Sequence, residues 1–343
     1  PALIIFVFLI PYTASVYNGL SRLFEMAFGI DYSYCIIGMA LLTAVYVLIG
    51  GYMATAVNDF IQGIIMLGGI AVTIIAVLRL NGGFSASVSA LSKVESGSDI
   101  NGAFVSFFGP EPLNLLGVVI LTSLGTWGLP QMVQKFYAIK SEKDVHIGTV
   151  VSTVFAVVVA AGSYFLGGFG RLFADNIEYS ASGTPVYDSI MPSILSLLPD
   201  LLVAIVIMLV LSASMSTLSS LVLTSSSVIT IDLVDELSGK KMTERRRISV
   251  MRVFLAFFVI ISAVIALIQY KSASTFIAQL MGISWGALAG AFLGPFLYSL
   301  YWKKTTAASV WCSFAVGIGF TVGNMLAGMA GHPLIASPIN AGA

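Results

Sequence analysis

Charged residues are scarce in this chain: Lys, Arg, Asp and Glu make up 9% of its 343 residues, whereas hydrophobic residues make up 58%. A soluble domain carries about 25% charged residues, because a surface in contact with water needs charge to stay dispersed. The shortage argues against a large soluble core and favours a protein embedded in a lipid bilayer. The formal net charge of zero, without a basic arm, also argues against nucleic acid as a partner.

Cysteine and histidine are nearly absent. The two cysteines, Cys35 and Cys312, lie far apart in apolar stretches, which predicts small core residues rather than a disulfide or a metal pair. The two histidines, His146 and His332, have no Cys or second His at metal-ligand spacing, so we expect no zinc or iron site. The sequence has no phosphate-binding loop, paired His-Glu helix or Ser-His-Asp set. We therefore expect neither an enzyme nor an organic cofactor.

Long apolar runs predict membrane-spanning helices. A helix needs about 20 mostly apolar residues to cross a bilayer. By that measure the chain is an all-α, multi-pass protein of the cell membrane, with nine spans in a single transmembrane domain. Lys and Arg concentrate in cytoplasmic loops, and most of the 16 fall in alternate loops when Lys135, Lys140 and Lys143 are placed inside. The predicted spans are 2–23, 33–54, 56–80, 113–137, 145–170, 199–231, 249–270, 275–301 and 307–329.

The sixth predicted span is rich in hydroxyl residues. At 3.6 residues per turn, several of them share one helix face. Hydroxyl and carbonyl oxygens are hard ligands that suit an alkali cation, and Asp232 and Asp235 at the end of the span could draw a cation outward. The alternative is that small hydroxyl residues let membrane helices pack closely. The shared face consists of Ala213, Ser216, Thr217, Ser220, Thr224 and Ser227.

Two further features could carry chemistry. Asp59 is a carboxylate near the start of the third span, where such a group usually faces a cavity or a partner. The alternative is a residue in the first turn of a helix that begins near Ala56, stabilised by the helix dipole. The fourth span contains two glycines and a proline within 122–131. Such breaks mark solute sites in many transporters, although a simple proline kink is the alternative.

Four sequence elements, taken together and in order, resemble the sodium:solute symporter family, whose members carry proline, pantothenate, sugars and sialic acid. The segment 48–62 resembles the family's glycine pair followed by Asp-x-x-Gln, and 130–138 resembles its Pro-x-x-x-x-basic-x-x-Ala element. The residues around Met215, Ser227 and Asp232 resemble the family's most specific stretch, and 294–303 resembles its Gly-Pro and Trp-Lys element.

The resemblance implies a LeuT-type core of five plus five inverted-repeat helices. The chain begins at Pro1 inside an apolar run, and on this scheme the first two core helices are missing from it. Function would be sodium-coupled symport of a small organic solute by alternating access, with the sodium ion as co-substrate. The alternatives are a transporter-like sensor module fused to a signalling domain, or a proton-coupled carrier of the same fold.

The resemblance also implies roles for individual residues. The principal sodium site would include Ala213, Ser216 and Thr217, and Asp232 and Asp235 would assist ion release. Proline carriers have a Tyr near position 126, where this chain has Thr, which argues against proline as the solute. A second sodium would bind to Asp59, Ser216, Ser219 and Ser220, and the solute would face Thr122, Thr126, Trp127 and Pro130.

Overall fold

Among the described residues, every regular element is a helix. A computed structural model describes residues 1–97, 100–179, 183, 186–239, 242–272, 277–330 and 332. We number the longer helices in chain order. They are α1 (Ala2–Phe28), α2 (Tyr32–Gly51), α3 (Met53–Leu80), α4 (Phe84–Leu91), α5 (Pro112–Ser123), α6 (Pro130–Phe136), α7 (Glu142–Asn176), α8 (Ile190–Leu195), α9 (Asp200–Leu237), α10 (Glu244–Ser272), α11 (Ile277–Tyr301) and α12 (Ala307–Met329).

Eight helices in the described part of the chain are long and apolar enough to cross a membrane. A ninth crossing results if the bent pair Pro112–Gly128 and Pro130–Phe136 forms one span. Each predicted span overlaps one of these helices or the bent pair, with several ends that differ, and the predicted start at 275 lies outside the described residues. Large apolar side chains face outward on many of them, including Ile49 at 82% exposure, as a lipid-facing surface requires.

Helix α1 lies at the centre of the main core. Its side chains Leu9, Ala14, Tyr17 and Leu20 are fully buried, and the helix contacts α2, α9, α10 and α11. The α2–α3 pair packs against α9 and α10. Helix α7 differs from these: none of its most apolar stretch is buried. The interior therefore forms around α1 and α9, which fixes α9 in place.

Glycines allow two close backbone contacts. A Cβ added at Gly317 would lie 2.3 Å from the Gly290 carbonyl carbon, so α11 and α12 meet without side chains between them. A Cβ at Gly128 would lie 2.8 Å from the backbone nitrogen of Leu293. The segment between α5 and α6 is thus held directly against α11.

The boundary between α2 and α3 differs from the prediction. Gly51 has φ 57° and ψ −166°, a left-handed conformation that a residue with a side chain rarely adopts. The chain kinks there, and α3 already begins at Met53. Asp59 consequently lies in the second turn of α3, beyond the unpaired N–H groups of a helix start. The interpretation of Asp59 as a first-turn residue is wrong.

Candidate ion and solute site

The hydroxyl residues of α9 occupy two kinds of surroundings. Ala213, Ser216, Thr217 and Ser220 are half-buried, and we call them the open face. Thr217 Oγ1 donates a hydrogen bond to the Ala213 carbonyl at 2.9 Å, and Ser220 Oγ donates to the Ser216 carbonyl at 3.1 Å. A hydroxyl that donates still has lone pairs to offer. These oxygens therefore remain able to accept a cation.

The other hydroxyls point into the core. Ser225, Ser226 and Thr230, which we call the buried face, have no exposed surface. Ser226 Oγ donates to the Val222 carbonyl at 2.8 Å, and Thr230 Oγ1 donates to the Ser226 carbonyl at 2.7 Å. On this side of α9 the hydroxyls serve close packing, as the alternative interpretation of the span proposed.

A cavity of about 260 Å³ lies where α3, α6 and α9 meet, and we call it the Asp59 cavity. It brings Asp59 and Ser220 together, two of the four residues predicted for a second sodium. The side chain of Ser216 also interacts with Asp59. The residues lining the cavity are Thr55, Ala56, Asp59, Gln131, Gln134, Lys135, Ser220, Leu223 and Thr224.

Ser219, the remaining residue predicted for the second sodium, has a different position. It is 1% exposed, and its Oγ donates to the Ser216 carbonyl at 3.0 Å. It does not belong to the lining of the Asp59 cavity. Its role as an ion ligand stays a prediction.

Two polar groups in the Asp59 cavity are incompletely paired. Oδ2 of Asp59 lies 3.7 Å from Nζ of Lys135. Oδ1 of Asp59 is buried and has no hydrogen-bond partner in the described part of the chain. The Gln131 side chain is 3% exposed, and neither its oxygen nor its nitrogen has a partner among the described residues. Buried groups without partners destabilise a fold, so these atoms indicate a place where a ligand or water completes the site.

A second cavity, of about 290 Å³, lies on the other side of Gln134 and includes Asp232 and Pro130. Gln134 separates the two cavities and links α6 to α9. Thr224 Oγ1 donates to Gln134 Oε1 at 2.7 Å, and Gln134 Nε2 donates to Ser227 Oγ at 3.3 Å. We call this space the Asp232 cavity. It shares the lining residues Gln134 and Thr224 with the Asp59 cavity, and ion release through Asp232 stays a prediction.

The predicted break in the fourth span is confirmed. Helix α5 ends at Ser123, a 3-10 turn covers Gly125–Gly128, and α6 begins at Pro130 after a bend of 49°. Thr122 and Thr126 donate to the carbonyls of Val118 and Ser123 at 2.8 Å and 2.7 Å.

The side chains of this broken segment are accessible. Thr122, Thr126 and Pro130 are half-buried, and Trp127 is 55% exposed. An irregular backbone segment with accessible side chains can contact a solute. Solute binding by these residues stays a prediction.

Asp235 makes contacts that the sequence did not suggest. Its Oδ2 accepts from Arg247 Nη2 at 2.7 Å and from Arg247 Nε at 3.0 Å. Its Oδ1 accepts from the Met242 backbone at 3.0 Å. The carboxylate thus joins the end of α9 to the start of α10, and its predicted part in ion release would have to coexist with this ion pair.

Sequence reasoning missed the polar side chains of α6. Gln131, Gln134 and Lys135 were visible as a cluster that directly follows Pro130 in an apolar region. Polar residues at membrane depth usually face a cavity or a partner, and that signal could have identified them. Their partners could not have been named, because Asp59 and Thr224 belong to distant parts of the chain.

Comparisons with known proteins agree with one another. The family model described as "Sodium:solute symporter family" matches residues 1–317. The osmoregulated proline transporter OpuE of Bacillus subtilis (strain 168) is 28% identical over 320 residues, covering 92% of this chain and 62% of the relative. The sodium/pantothenate symporter of Haemophilus influenzae is 25% identical over 306 residues, covering 88% of this chain and 60% of the relative. A sodium/proline symporter of Staphylococcus aureus is 29% identical over 310 residues, covering 89% of this chain and 58% of the relative.

The fold is also found in a solved structure. A sodium-coupled sialic acid symporter, in a substrate-bound outward-open state, matches with a TM-score of 0.70 at 19% identity. The match covers 96% of this chain and 68% of that chain. The curated relatives are longer than this chain, which spans between 58% and 62% of their length.

Proposed function

The chain belongs to the sodium:solute symporter family, and from this membership we propose that the protein couples sodium entry to the uptake of a small organic solute. It is a multi-pass integral membrane protein. The observation that carries the proposal is the open face of α9 beside the Asp59 cavity, where hydroxyl, carbonyl and carboxylate oxygens come together.

The chemistry of these oxygens fits a sodium ion. Hard oxygen ligands suit a small hard cation, and soft thiolate or imidazole ligands are not among the residues that line the Asp59 cavity. We propose that Ala213, Ser216 and Thr217 contribute to a principal sodium site. Asp59, Ser216, Ser219 and Ser220 are the corresponding proposal for a second ion. Either ion would be a co-substrate, and we expect no organic cofactor, enzymatic activity or nucleic-acid partner.

The solute is proposed to contact the broken segment between α5 and α6. Thr122, Thr126, Trp127 and Pro130 offer hydroxyl groups, an aromatic ring and an accessible surface there. The names of the similar proteins refer to proline, pantothenate and sialic acid. We therefore propose a small organic solute without assigning one of these compounds.

Transport would proceed by alternating access in a LeuT-type core. Sodium would stabilise the solute-binding state and then leave past Asp232 and Asp235. Movement of one charge across 100 mV corresponds to about 2.3 kcal/mol, so a second ion would add substantially to the driving force. The five-plus-five inverted repeat is part of this proposal.

Sodium dependence of uptake tests the principal site. In the full-length protein, Ser216→Ala and Thr217→Ala should each raise the sodium concentration for half-maximal uptake by about tenfold, because each removes one ion ligand. Ser226→Ala is the matched control, since it removes a hydroxyl of the buried face of the same helix. An unchanged sodium dependence in both open-face variants, with normal amounts of folded protein, would show that the assignment is wrong.

Two alternatives have distinct readouts. A proton-coupled carrier would show uptake that follows the pH gradient and persists without sodium. A sensor module would bind solute and sodium without net uptake. We favour symport, because hydroxyl residues rather than a Lys or a carboxylate occupy the open face.

A further inference from the structure

The Asp59 cavity contains one negative and one positive side chain. Asp59 and Lys135 are the only charged residues that line it in the described part of the chain. Their atoms Oδ2 and Nζ lie 3.7 Å apart. The ammonium of Lys135 thus already supplies the single positive charge that the carboxylate can balance.

A further cation binds less favourably while that ammonium stays in place. In a partly dehydrated cavity an unbalanced charge is strongly disfavoured. With Lys135 present the cavity is neutral, and a sodium ion would bring it to a net positive charge. With Lys135 withdrawn, the same ion restores neutrality. The two cations are therefore alternatives.

The pairing with Lys135 leaves the cavity incomplete. Oδ1 of Asp59 and both polar atoms of the Gln131 side chain are buried without partners among the described residues. Two oxygens, Asp59 Oδ1 and Gln131 Oε1, are consequently available to an ion that the ammonium does not satisfy. The unpaired Gln131 oxygen indicates a ligand independently of the charge balance.

Lys135 is also free to leave. It lies on α6, a seven-residue helix that follows a bend of 49°. Its side chain is 47% exposed, whereas that of Asp59 is 22% exposed. A lysine ammonium on a flexible four-carbon stem can move into water without breaking a rigid geometry.

We propose that Lys135 is a tethered competitor for the cation position of the Asp59 cavity. Its ammonium neutralises Asp59 between transport cycles, and an entering sodium ion displaces it and gains Asp59 Oδ1 and Gln131 Oε1 as ligands. Lys135 thereby sets the sodium affinity of this cavity and couples its occupancy to the position of α6. The inference rests on the proposed sodium symport and adds to it a residue that determines affinity.

Equilibrium binding of radioactive sodium to the purified full-length protein, without solute, tests the inference. Lys135→Met removes the competitor, so the protein should bind sodium about fivefold more tightly, the change expected for one partly exposed ion pair. The gain should disappear in the Lys135→Met, Asp59→Asn double variant. Lys135→Arg keeps the competing charge and should bind sodium no more tightly than the unaltered protein.

Lys140→Met is the control for a general loss of positive charge, since Lys140 is an exposed residue of the following loop. Equal sodium affinity in Lys135→Met and the unaltered protein would overturn the inference, as would an equal gain in Lys140→Met. Absence of sodium binding by the unaltered protein would instead contradict the proposed function itself. Gln131→Leu should weaken sodium binding in the Lys135→Met background, and an unchanged affinity there would remove Gln131 from the ligand set.

Discussion

The open and buried faces of α9 use the same residue types in different surroundings. On the buried face, Ser226 has no exposed surface, and its Oγ donates to the Val222 carbonyl. On the open face, Ser220 is half-buried, donates to the Ser216 carbonyl and lines the Asp59 cavity. Both hydroxyls bond to the carbonyl four residues before them. Hydrogen bonding within the helix therefore does not distinguish a hydroxyl that packs from a hydroxyl that can bind a ligand. The groups that lie opposite each face make that distinction.

The largest effect should come from adding volume to the buried face. Ser226→Leu should lower the free energy of unfolding by about 1–3 kcal/mol, because extra methylene groups must fit into a filled core. Ser220→Leu is the matched change on the open face, where the cavity offers space. Thermal unfolding of the purified protein in detergent measures both. Equal destabilisation by the two variants would abolish the distinction between the faces.

The next largest effect should be on the affinity for sodium rather than on the stability of the fold. Ser220→Ala should weaken sodium binding by about tenfold, since one oxygen next to a charge contributes about 1.5 kcal/mol. Its free energy of unfolding should stay unchanged. Sodium titration of purified protein, alongside Ser226→Ala, measures the difference. If Ser220→Ala loses stability but keeps its sodium affinity, the Ser220 hydroxyl serves helix packing and not ion binding.

Thr224 lies at the boundary between the two faces, so its replacement sharpens the comparison. Thr224→Val keeps the shape but removes the 2.7 Å hydrogen bond to Gln134. We expect a loss of about 1 kcal/mol in the free energy of unfolding. Thr149→Val is the control, because Thr149 is exposed and its hydroxyl donates to the Val145 carbonyl of its own helix. A loss no larger than that of the control would show that the link between α6 and α9 adds little stability.

The smallest effect should come from Asp188, which is remote from both faces. Both of its carboxylate oxygens accept from the Ile277 backbone, at 3.2 Å and 3.1 Å. Burial raises the pKa of this carboxyl above its usual 3.8, although the Ile277 hydrogen bond and Arg22 oppose the shift.

A raised pKa means that the folded protein holds the proton more tightly than the unfolded chain does. The contribution to stability is therefore full below about pH 4 and is lost as the pH rises through the folded-state pKa. Asp188→Asn keeps an acceptor for Ile277 and should remove this small pH dependence. Thermal unfolding between pH 4 and pH 7 measures the change, and identical profiles would contradict it.

The approximate positions of the helices along the chain were predictable, because the length of an apolar run alone identifies a membrane span. The broken fourth span followed from two glycines and Pro130, whose effect on a helix is local. The start of α3 was only partly predictable: the pair Gly50 and Gly51 marks a place where a left-handed conformation is easily adopted, but either glycine could have broken the helix. That shift decided the position of Asp59 within its helix.

From the sequence, the residues of the site could be grouped only within a single helix. Periodicity grouped Ser216, Thr217 and Ser220, because they lie on one stretch of α9. The neighbours of Asp59 come from elsewhere: Lys135 is on α6, and Ser220 is on α9. Such pairs depend on how helices cross, which no local pattern encodes. The ion pair of Asp235 with Arg247 escaped prediction for the same reason.

The shortness of α6 has a mechanical consequence. Gly128 is held against Leu293 of α11, just before the start of α6. At about 1.5 Å per residue, the backbone of Lys135 lies about 7.5 Å beyond Pro130 along the axis. A swing of about 20° would displace it by about 2.6 Å, comparable with the 3.7 Å that joins Lys135 to Asp59. In the proposed exchange, the departure of Lys135 from Asp59 would thus need only a small swing of α6.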